Sequence, residues 1–136
     1  MEELLGLQES FKKARVILLT TYTENGEEHI RQMTNINENP YTMMWFTTYT
    51  NTRKVEDVKK NPKVLLTVPA TKRGEFYEIE GNAELEKQEV VEEKWSWWYL
   101  YWWPEQSDRF WFRRDGQHPD WAIINVHPIS ARLVKK

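Results

Sequence analysis

Hydrophobic positions change their spacing several times along this chain, and each change marks an element. Leu4, Leu7 and Phe11 recur three and four residues apart with Ala14 one turn on, so residues 3–14 are expected to form a helix with one apolar face. Residues 16–23 are rich in Val, Ile, Leu, Thr and Tyr and suit a strand. Glu24-Asn25-Gly26 reads as a turn, and residues 29–35 as the returning arm of a hairpin, with Ile30 on one face and Arg31 and Met33 on the other. Residues 37–40 make a loop and 42–49 a third strand. Thr50, Asn51 or Thr52 then caps a short helix running to about Lys60, which Asn61-Pro62 ends.

Residues 64–68 form a short apolar strand. In 76–83, Phe76, Glu78 and Glu80 alternate with Tyr77, Ile79 and Gly81, as in a strand with one buried face. After a gap that follows Leu85, residues Val91, Trp95, Trp98 and Trp102 return to helical steps, predicting a helix from about Lys87 to just before Pro104. Residues 104–108 read as a loop, 109–114 as a short strand or irregular edge, and Asp115-Gly116 as a turn. Residues 121–126 form a strand interrupted by Pro128, and 130–135 a closing strand or tail. This order predicts a single domain over 1–136, mainly β with flanking helices, built as an antiparallel barrel with the helices outside. A Rossmann fold is disfavoured, because no Gly-rich strand-to-helix fingerprint is present.

Composition narrows the chemistry. The net charge of −2 offers no basic excess for duplex nucleic acid. Residues 109–114 interleave arginine with aromatics, which would suit a single strand, but Glu105, Asp108 and Asp115 dilute the field. With no cysteine, disulfides, thiolate metal sites and cysteine nucleophiles are excluded. The acidic start lacks a secretory h-region and no apolar run approaches membrane-spanning length, so a cytoplasmic protein with no membrane partner is expected. His29, His118 and His127 have no ligand spacing, so no metal site is expected and they read as surface or loop residues. No serine sits in a nucleophile elbow. The acidic run 84–93 reads as a solvated helix face. Eight Trp, six Tyr and five Phe stand out, serving core, subunit contact or a flat-ligand pocket.

Two polar clusters break the strand pattern: Arg31-Gln32-Met33-Thr34 in the second strand, and residues 47–54 spanning the end of the third strand and the start of the next helix. A helix start offers unpaired N–H groups and the positive end of the dipole. Thr50 and Thr52 add hydroxyls and Asn51 an amide. Arg53 and Lys54 oppose the dipole, so helix stability does not account for them. Either they are solvated on a capped surface helix, or they bind an anion, with Arg31 as a bidentate clamp.

These segments carry a resemblance. Arg31-Gln32-Met33, Trp45-Phe46-Thr47-Thr48, Thr52-Arg53-Lys54 leading to Asn61-Pro62-Lys63-Val64, Glu80-Gly81-Asn82-Ala83 and the stretch from Trp121 to Pro128 occur in an order that resembles the pyridoxamine 5'-phosphate oxidase-like FMN-binding split barrels, general stress protein 26-like branch. The resemblance implies a six-stranded antiparallel split β-barrel that forms a homodimer, with FMN at the subunit interface. It further implies that Arg31 and Lys54 grip the phosphate with Thr52 and Arg53 beside them, and that Asn51 belongs to the same loop. Phe46 and Thr47 would run along the flavin ring through backbone atoms with Thr48 nearby, and Gln32, Met33 and Thr34 would line its ribityl and ring side. Trp111 or Trp121 from the partner subunit would close the site. Vitamin B6 oxidation is not implied, since the C-terminal arginine- and histidine-bearing substrate motif has no copy here and Arg132 alone does not make one. The expected function is an FMN-binding oxidoreductase with a small-molecule redox partner. Alternatives are a non-catalytic stress-related module holding FMN or the deazaflavin F420, a structural homodimeric barrel without cofactor, and a haem-binding relative, which the settings of the three histidines disfavour.

Overall fold

The computed structural model describes residues 1–50, 52–102 and 121–135. Helix α1 (Leu7–Lys13) begins later than the apolar periodicity predicts, because Gly6 lies before it in the left-handed region at φ 82°. A Cβ at Gly6 would stand 2.6 Å from Tyr77 Oη, the hydroxyl that donates to Leu5 O at 2.9 Å. Leu7 and Phe11 are fully buried. Strands β1 (Val16–Tyr22) and β2 (Glu28–Thr34) form the expected hairpin, closed by Gly26 at φ 86°. β3 (Met44–Tyr49) leads into α2 (Arg53–Lys60). Then follow β4 (Lys63–Pro69), β5 (Glu75–Leu85), α3 (Gln88–Trp102) and β6 (Trp121–Lys135).

The six strands form one antiparallel sheet in the order β2-β1-β4-β5-β6-β3. Its two edges, β2 and β3, curl back near each other, and among the described residues no ladder joins them. The result is a mainly β, split barrel with flanking helices. Leu19, Met33, Phe46, Leu66, Ile79, Ile124 and Val126 fill its interior. A smaller cluster of Val91, Trp95, Trp121 and Ile123 packs α3 onto β6, which is therefore buried on both faces from Trp121 to Val126.

Pro128 does not interrupt β6. The ladder pairs Gly81 with Pro128 but Glu80 with Ser130, so Ile129 is the extra residue of a bulge and the strand runs on to Lys135. A bulge accommodates a proline that lacks an N–H for the ladder. The acidic run is also divided: Glu84 lies in β5 and binds His127, whereas the helix starts only at Gln88. The loop, short strand and turn expected within 104–116 lie outside the described residues.

Candidate functional site

The split between β2 and β3 brings together several of the polar residues that the sequence singles out. Strand alternation places His29, Arg31 and Met33 on one face of β2. Met33 is buried in the core, while Arg31 stays exposed at the strand edge. Gln32 and Thr34 alternate to the opposite face and are exposed there.

Helix α2 starts directly after β3 and brings Lys54 toward Arg31. Burial lowers the Lys54 pKa from the ordinary lysine value, and the Arg31 charge lowers it further. Among the described residues, no carboxylate lies within ion-pair distance of Arg31 or Lys54. A partly buried Lys54 therefore feels the charge of the exposed Arg31 with no carboxylate paired to either among the described residues, an arrangement that an oxyanion would relieve. Arg53, the first residue of α2, is exposed alongside.

The end of β3 supplies polar groups. Thr48 is 4% exposed, with its hydroxyl 3.5 Å from that of Thr52. Thr52 is the N-cap, but its side chain does not cap the helix: Oγ1 donates to Tyr49 O at 2.8 Å. Among the described residues, the helix start is thus left without a side-chain acceptor from its N-cap. Phe46 is a core residue at 1% exposure, so only its backbone could serve a ligand.

On the free edge of β3, the Asn37 side chain accepts from Trp45 N and donates to Trp45 O, both at 3.0 Å. Backbone groups of an antiparallel edge strand alternate in direction, so Thr47 presents its N–H and C=O on this same open edge. Asn37 thereby blocks one step of the edge and leaves the next open.

Trp121 lies at the start of β6, paired with Tyr49. Its ring stacks on Trp95 of the same chain (centroids 4.7 Å apart, planes 6°), and it is 8% exposed. Trp95 Nε1 donates to Ala122 O at 3.0 Å, and Tyr49 leans on the same ring. Asn51 and Trp111 lie outside the described residues, as does His118.

His29 is not the isolated surface residue its sequence context suggests. Its Nδ1 lies 2.6 Å from Oδ2 of Asp57, which also accepts from Thr21 Oγ1 at 2.7 Å. Thr21 and Asp57 are 0% and 6% exposed, so the carboxylate sits between β1, β2 and α2. Burial pushes the Asp57 carboxyl up, but hydrogen bonds from His29 and Thr21 and the charges of His29 and Arg53 outweigh it. The net pKa falls below the ordinary aspartate value. Helical spacing held a signal for this: Asp57 follows Lys54 by three and sits between the buried Val55 and Val58, away from the solvent face of Glu56 and Lys59. Among the described residues no group of acids and histidines is arranged to hold a metal ion.

Residues 2–134 match the family model described as pyridoxamine 5'-phosphate oxidase like. No curated protein matches the chain. Among solved structures, a Listeria innocua protein named after pyridoxamine 5'-phosphate oxidase is 24% identical, covers 96% of each chain and has a TM-score of 0.70. A Clostridium acetobutylicum protein related to general stress protein 26 is 21% identical over 95% of this chain and 85% of its own, with a TM-score of 0.70. A Nostoc punctiforme protein described as pyridoxamine 5'-phosphate oxidase-related and FMN binding is 16% identical over 94% of this chain and 78% of its own, with a TM-score of 0.62. These structures share the fold.

Proposed function

We propose, for a chain that belongs to the pyridoxamine 5'-phosphate oxidase-like family, that it binds FMN at the split between β2 and β3 and serves as a flavin-dependent oxidoreductase, assembled as a homodimer with the flavin at the subunit seam. The observation that carries this reading is the uncompensated pair Arg31 and Lys54, held at the mouth of the split. A phosphate monoester is close to a dianion at neutral pH and matches two adjacent cations. Arg31 would grip it through two N–H groups, and Lys54 would add a point charge. Arg53, the Thr52 hydroxyl and the uncapped start of α2 would complete the cradle.

The open Thr47 backbone pair, one donor and one acceptor, fits the polar edge of a flat heterocycle. Phe46 and Met33 lie in the core beneath β3 and β2. When bound, the flavin supplies the electron-transfer chemistry, and the protein supplies position and a shielded environment. The residues named here provide no side-chain acid or base at the ring.

Absorbance of the purified protein, followed by FMN titration of wild type and the Arg31→Ala, Lys54→Ala double variant, tests the reading. Wild type is expected to show flavin bands or take up FMN. The double variant is expected to bind at least about 100-fold more weakly, since each charge-assisted bond contributes roughly 1.5–3 kcal/mol. Equal binding by both proteins would remove the phosphate site from this corner. Anaerobic reduction of the bound flavin by NAD(P)H, with reoxidation by a small acceptor, is expected of an oxidoreductase. A flavin that resists both would leave a binding module.

A further inference from the structure

Strand β2 and helix α2 meet at the His29–Asp57 bond, and beside it the Arg31 charge acts on Lys54. On β2, His29 and Arg31 share a face two residues apart, about 6.8 Å along the strand. On α2, Asp57 and Lys54 are neighbours one turn apart on one face. One rung, His29 to Asp57, is a charge-assisted bond at 2.6 Å. The other, Arg31 beside Lys54, is a meeting of like charges. Left alone, this repulsion favours side-chain conformations that separate the two cations. The attractive rung opposes this, and Thr21 ties the same carboxylate to β1 at the position paired with His29.

We infer that His29 and Asp57, anchored by the buried Thr21, are positioning residues for an oxyanion cradle, holding Arg31 and Lys54 at a spacing that a single phosphate group can bridge. This deepens the function proposed above and rests on it for the identity of the ligand. It also explains why a buried carboxylate sits one turn from an anion site: its Oδ2 is engaged by His29 and Thr21. Tight binding follows only if the cations are placed before the ligand arrives, because reorganising them on binding would cost affinity. Asp57 therefore acts with a sign opposite to simple electrostatics. Removing a negative charge near an anion site would strengthen binding, whereas removing a strut weakens it.

Four variants separate these effects: His29→Leu, which breaks the rung; His29→Asn, whose amide donates from the place of Nδ1; Asp57→Asn; and Thr21→Val. Each is titrated with FMN and with riboflavin, which lacks the phosphate, and the Lys54 Nζ titration is followed by NMR in unliganded protein. His29→Leu is expected to weaken FMN binding about tenfold with riboflavin unchanged, and to move the Lys54 pKa up toward its ordinary value. His29→Asn is expected to restore both. Thr21→Val shows the same trend at smaller size.

If His29→Leu does not fold, Asp57→Asn decides: weaker FMN binding supports the strut, and equal or tighter binding overturns it. FMN binding by His29→Leu equal to wild type, or an unmoved Lys54 titration, would likewise overturn it. If wild type binds no FMN, the function proposed above fails. The Lys54 titration then decides alone whether the rung holds the pair.

Discussion

At the level of single residues, Asp57 makes the clearest claim on solution behaviour. Its folded pKa is depressed below the unfolded value. The stabilisation it contributes is therefore complete above the ordinary aspartate pKa of about 3.9 and is lost as the pH falls through the lower folded value. Asp57→Asn is expected to cost about 1–3 kcal/mol at pH 7, because a neutral amide oxygen accepts the bonds from His29 and Thr21 more weakly than the carboxylate does. The cost should shrink at strongly acid pH, where wild type has lost the same interaction. Urea denaturation of both proteins at pH 7 and pH 3 checks this. Lys54 titrates at the other end. Its depressed pKa means that affinity for an oxyanion falls, as pH rises, earlier than for an ordinary lysine. FMN titrations from pH 7 to 10 are expected to show that early decline in wild type and to lose it in Lys54→Met.

Among the elements, β6 shows how a local breaker is absorbed. Pro128 sits opposite Gly81 at the bulge, where the strands close tightly: a Cβ at Gly81 would lie 2.8 Å from Val126 Cγ1 and 2.9 Å from the backbone oxygen of His127. The backbone oxygen cannot rotate away as a side chain could. Gly81→Ala is expected to destabilise by about 1–3 kcal/mol, the usual cost of overpacking, measured by thermal unfolding. The tryptophan-rich segment has a part of its purpose in the Trp95–Trp121 stack, which seats α3 on β6. Trp95→Ala should cost about 3–5 kcal/mol, and it also removes the bond from Trp95 Nε1 to the Ala122 carbonyl.

On the scale of the whole molecule, the sheet order leaves β2 and β3 as facing edges, and the candidate site lies in the gap between them. Ligand binding to the folded state alone should raise global stability. At an FMN concentration about 100-fold above its Kd the gain is about 2.7 kcal/mol. Removing FMN, or substituting both Arg31 and Lys54, is expected to abolish it, as read from paired thermal melts. Much of this architecture is written in local pattern: the β1–β2 hairpin in alternation and Gly26, the end of α2 in Asn61-Pro62, the cationic cluster in Arg31 and in Arg53 and Lys54, which no helix start calls for. Periodicity and turn chemistry act within a few residues, so one sequence displays them. The bulge that carries β6 past Pro128 depends on a glycine in another strand. The bond that makes His29 more than a surface histidine joins residues 28 apart. The free edge at Thr47 exists only because, among the described residues, β3 pairs on one side alone. Each is a property of what the fold brings alongside, and no local stretch of sequence contains its own neighbours.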